Sequence, residues 1–74
     1  METTHKLAHL LPHWIEHNDS HGLQFEEWAG KAREAGLDRV ADEIAAAAEA
    51  VRAANARLEA ARSALAEPGA AGGD

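Results

Sequence analysis

Five histidines stand at positions 5, 9, 13, 17 and 21, so that every gap between them is four residues. On an α-helix four residues turn about 400°, which stacks successive imidazoles on one face about 6 Å apart. Two histidines at i and i+4 form a bidentate site for zinc, nickel, cobalt or copper. His13, His17 and His21 follow one another without interruption, whereas His5 and His9 precede Pro12. Each step of four drifts about 40° around the axis, and His13 to His21 spans about 12 Å along it. An ion with ligand distances near ~2.1 Å therefore takes His13 with His17, or His17 with His21, and needs further ligands. Candidates are His9 folding back across Pro12, the same residues of a second chain, and carboxylates such as Glu16 or Glu59. Two other readings stay open. The row could be a polar structural seam, or an interface that responds to pH, because imidazole titrates near ~6.5.

Composition limits the remaining chemistry. The 74 residues include no cysteine, which removes disulfides, thiolate zinc sites, iron–sulfur clusters and thiol catalysis. Seven Lys and Arg against thirteen Asp and Glu give a net charge of −6, which argues against nucleic acid as a partner. No run of large apolar residues exceeds Leu10–Leu11, so neither a membrane span nor a signal-peptide core is expected, and the cytoplasm is the expected compartment. No serine–histidine–carboxylate set has a shell to orient it, no glycine-rich phosphate loop occurs, and the chain is short for enclosing a substrate. An enzyme is not expected.

The elements that must position the histidines read as helices throughout. Thr3 or Thr4 could cap a short N-terminal helix over 1–11, which Pro12 would end or kink. A helical hairpin follows over 12–66, its first arm closed by Gly36 and its second capped by Asp38. The Gly/Ala-rich stretch 67–74 reads as a disordered tail. Asn18–Gly22 is poor helix material, yet one four-three frame runs through it: Trp14, Asn18, His21, Phe25, Trp28, Ala32 and Ala35. A loop has no reason to keep phase, so the helix is expected to continue.

The second arm carries the frame Leu37, Val40, Ile44, Ala47, Val51, Ala54, Leu58, Ala61 and Leu65. Folded back about Gly36, facing layers have residue numbers summing to about 72, which sets Glu59 opposite His13 and Asn55 opposite His17. Trp14, Phe25 and Trp28 read as core in this frame, and His21 shares it. Nineteen alanines leave only fifteen large apolar side chains in the whole chain. Alanine-lined helices approach closely but bury little area each. Two of them alone are marginal, and a dimer forming a four-helix bundle is the expected remedy.

The stretch Leu11-Pro12-His13-Trp14-Ile15-Glu16-His17-Asn18-Asp19-Ser20-His21 has a specific look. With Phe25-Glu26-Glu27-Trp28-Ala29 and Lys31-Ala32-Arg33-Glu34-Ala35-Gly36, it resembles a small bacterial helical domain of uncharacterised type with an H-W-I-E-H-N-x-x-H signature. That resemblance covers about residues 10–50 and is associated with proteins that handle nickel or cobalt. It marks His13, His17 and His21, with Glu16 and Asn18 as supporting residues. His5 and His9 fall outside it, and Gly22 departs from the helix former it implies.

The sequence thus predicts an all-α antiparallel hairpin with a short N-terminal helix, dimerising into a four-helix bundle. Its expected function is a histidine-rich module for nickel, cobalt or zinc, of accessory or metallochaperone type, with His9, His13, His17 and His21 as ligands. The alternative is a helical oligomerisation module whose histidine row is structural or pH-sensitive.

Overall fold

The structure, a computed structural model, describes residues 2–67. It contains two helices, α1 over Glu2–Glu34 and α2 over Asp38–Ala66. They pack against each other as an antiparallel hairpin, and no strand occurs among the described residues. The result is a rod of 54 × 15 × 12 Å. The tail expected at 67–74 falls outside the described residues from position 68 onward.

The turn is built as expected around Gly36. Its φ of 79° is open to glycine at little cost. The Leu37 N–H donates to the Ala32 carbonyl at 2.9 Å and the Gly36 N–H to the Arg33 carbonyl at 3.0 Å. Two carbonyls left over at the end of α1 are thereby satisfied. Arg33 then pairs with Asp42 at 3.0 Å across the turn. Asp38 is not the cap. Leu37 holds that position without a side-chain hydrogen bond, and Asp38 is the first helical residue. Its carboxylate still lies by the positive end of the helix dipole.

Two expectations for α1 need correction. The helix is already under way at Thr3 and Thr4, so neither is its cap, and it runs through Pro12 without a boundary at residue 11. There is no separate N-terminal helix over 1–11. An interior proline removes one backbone hydrogen bond and costs about 3 kcal/mol. Packing overrides it: Leu7, Leu11 and Ile15 keep one inward-facing column across the proline, with Leu11 only 4% exposed. The helix also continues through Asn18–Gly22, as its phase implied.

The seam between the helices is rotated from the expected one. Asn18, Phe25 and Ala32 do turn inward, but they alternate with Ile15, Gly22 and Ala29, not with Trp14, His21 and Trp28. On α2, Ile44, Val51, Leu58 and Leu65 are joined by Ala41, Ala48 and Asn55 in place of Val40, Ala54 and Ala61, and Ala47 stays half-buried beside them. Trp14 and Trp28 are exposed, and so is His21. The physical reason is approach distance. A β-carbon placed on Gly22 would lie 3.8 Å from Val51 Cγ1, and Ala41 and Ala48 are fully covered. Small residues let the backbones come together, whereas tryptophans in the same layers would hold them apart. Gly22 with Val51 and Asn18 with Asn55 fix a register in which facing numbers sum to 73.

Candidate metal-ligand pair on α1

With the seam so placed, the histidine row spirals around the outside of α1. The ring centroids of His13 and His17 lie 6.0 Å apart in a stacked arrangement, and those of His17 and His21 lie 4.7 Å apart, edge to face. Phe25 continues the column, its ring 6.0 Å from that of His21. The ring nitrogens of the second pair turn toward each other. His17 Nε2 and His21 Nε2 approach to 3.2 Å on the exposed surface.

That separation has a limited set of uses. A proton can lie between the nitrogens, one ring donating its Nε2–H to the other ring's lone pair. Two lone pairs can instead bind one metal ion; with bonds of about 2.1 Å, a 3.2 Å separation gives an angle near 100° at the metal. Two imidazolium rings, each with a proton on Nε2, are repelled at this distance. The pair has the geometry of a two-ligand bite, and a metal ion there would need further donors.

The other expected site residues are placed differently. His13 lies one turn below, where it lines a shallow groove with Glu16, His17 and Ser20. His9 is eight residues before His17, about 12 Å along the axis, and does not fold back because the helix continues through Pro12. Glu59 is paired with Arg62 at 3.7 Å on α2. No group of three or more potential metal-ligating side chains converges among the described residues.

Asn18, expected to support the ligands, faces the seam instead. Its side-chain amide donates to Asn55 Oδ1 at 3.0 Å. Asn55 Nδ2 in turn donates to the Ile15 carbonyl at 3.0 Å and to Asp19 Oδ1 at 2.8 Å. Asn55 is 8% exposed, and this network ties α2 to the backbone beneath His17. The sequence frame passed over Asn55 in favour of Ala54. A signal was present: the chain has two asparagines, their numbers sum to 73, and they bond to each other.

A family model described as Domain of unknown function (DUF8180) matches residues 7–65. The chain belongs to the DUF8180 family. The match spans both helices, so the hairpin, its Gly36 turn and the asparagine network all lie inside the family's domain. A relative from Archaeoglobus fulgidus, described as an uncharacterized protein, is 45% identical over 47 residues, covering 64% of this chain and 74% of that protein. No solved structure matches the chain. DUF8180 agrees with the expected small uncharacterised domain; neither description names a metal.

Proposed function

We propose that the protein is a transition-metal-binding module, without catalytic activity of its own, in which His17 and His21 supply a ligand pair for nickel, cobalt or zinc. The 3.2 Å approach of the two Nε2 atoms carries this reading. Imidazole suits all three metals, so the donor set names a class, not an element. His13 and Glu16 border the pair and serve as auxiliary ligands or as an entry path. No helix among the described residues is long and apolar enough to cross a membrane.

The test is titration of nickel, zinc and cobalt into untagged, metal-free protein. Stoichiometric sub-micromolar binding is expected, with at least a tenfold loss in His17→Ala and little change in His5→Ala. Coordination needs unprotonated nitrogens, so acid releases the metal. A ligand held only by the folded state adds about 2.7 kcal/mol at a hundredfold excess over its dissociation constant. Metal-linked stability is therefore present at pH 7.5 and lost as the pH falls. A melting temperature that rises with metal at pH 7.5 and scarcely at pH 5 is expected. Equal losses in both histidine variants, or the same thermal shift at both pH values, would remove His17 and His21 as the site.

A second reading, a helical assembly module, is favoured by the tryptophans. Trp14 and Trp28 lie 40% and 59% exposed on the side of α1 that bears His21.

A further inference from the structure

α1 carries a second seam. Beside the column that meets α2, the residues Leu10, Trp14, His17, His21, Gln24, Trp28 and Lys31 repeat the same four-three spacing. This seam is rotated about 100° around the helix from the first, close to the quarter turn by which a helix in a four-helix bundle meets two neighbours. Leu10, Trp14 and Trp28 on it are 39%, 40% and 59% exposed, and Val40 of α2, on the same flank, is 49% exposed. The opposite flank is closed by charge: Glu26 pairs with Arg52, and Arg33 with Asp42. The opposite flank also carries Leu23, 67% exposed, but both tryptophans lie on the His17–His21 side, where the Lys31 ammonium sits 4.3 Å from the Trp28 ring centroid.

The second seam is symmetric. Leu10 to Trp28 is centred on residue 19, and so is the His17–His21 pair. An antiparallel copy of α1 laid along it sets facing numbers to a sum of 38. His17 then faces His21 of the second copy, His21 faces its His17, and Leu10 faces its Trp28. Unlike columns meet in each layer, as Gly22 meets Val51 within the hairpin. The face is large enough: its 54 × 15 Å outline is about 800 Å², room for the roughly 800 Å² that each partner of a standard-size complex buries. The ligand count agrees too, since two imidazoles fill half of a tetrahedral zinc-type sphere and a second pair fills the rest.

We infer that a second copy of this chain packs antiparallel on the Leu10–Trp14–Trp28 face of α1, and that the two His17–His21 pairs meet at the two-fold axis to form one four-imidazole metal site. This rests on the proposed metal-binding role and assigns its missing ligands.

The test is sedimentation equilibrium of the full chain with and without zinc, alongside direct measurement of metal content. One zinc per two chains is expected, with dimerisation at least tenfold tighter when zinc is present. Trp28→Glu should abolish the dimer and weaken zinc binding at least tenfold, although it retains both imidazoles. Trp28 is exposed, so helicity by circular dichroism should be unchanged; Leu10→Glu, on the facing layer, provides an independent second variant. One zinc per monomer, unaffected by Trp28→Glu or Leu10→Glu, would overturn the shared site and leave the His17–His21 pair standing. A dimer that takes up no zinc would overturn the shared site together with the metal-binding role.

Discussion

Replacing Ala48 with leucine is expected to lower the melting temperature by about 10 °C or more, although the substitution adds apolar surface. Ala48 is 1% exposed and registers against Phe25, between layers set by Gly22 with Val51 and Ala29 with Ile44. Three added carbons have no void to enter, so the backbones must separate over neighbouring layers. Overpacking of this kind costs about 1–3 kcal/mol. A domain this small holds about 3–5 kcal/mol in all, so the loss is a large share of its stability. Ala50→Leu, at an exposed position of the same helix, is the control and should leave the melt nearly unchanged. If the two variants melt alike, the close approach at Ala48 is not what holds the hairpin together.

Asn55→Asp should be at least as damaging at neutral pH. The Asn55 amide donates to the Ile15 carbonyl and to Asp19 Oδ1, and a carboxylate in its place faces two acceptors with nothing to donate. An unsatisfied buried polar group costs about 1–3 kcal/mol, more where charge is involved. The expected loss is therefore about 3 kcal/mol or more. The pH dependence gives the sign. Folding favours the neutral form of the introduced carboxyl and so raises its pKa above the unfolded value. The deficit relative to wild type is then smallest below the unfolded carboxyl range, near pH 4, and grows as pH rises toward 7. Chemical denaturation of both proteins at the two pH values measures the difference. A deficit independent of pH would mean that Asn55 acts only by filling space.

The hairpin was legible because its signals are local or periodic. Gly36 marks the one position among the described residues that needs a positive φ, and the unbroken phase through Asn18–Gly22 foretold a continuous helix despite weak propensities. Pro12 misled because its cost is local while the column of Leu7, Leu11 and Ile15 that offsets it is tertiary. The seam was half legible. Asn18, Phe25, Ile44 and Val51 belong to it, but each helix offers apolar residues on both sides of that column. Side-chain size favoured Trp14 and Trp28, whereas close packing selected Gly22, Ala29, Ala41 and Ala48. The four-residue histidine spacing was plain in the sequence. Which neighbours close was not, because His13–His17 and His17–His21 have the same spacing and differ only in how the rings turn.

The Gly36 turn also favours an order of assembly. In a hairpin folded about one glycine, each contact closes a loop whose length grows with its distance from that glycine. Arg33 and Asp42 close a span of nine residues, and Asn18 and Asn55 a span of 37. The fourfold longer loop costs only about 1 kcal/mol more in chain entropy, and less once the intervening layers have already paired. Zippering outward from Gly36 therefore meets no step much costlier than the first. Pairing that spreads outward from Gly36 would buttress the imidazole-bearing middle of α1 after the turn and the alanine layers beside it.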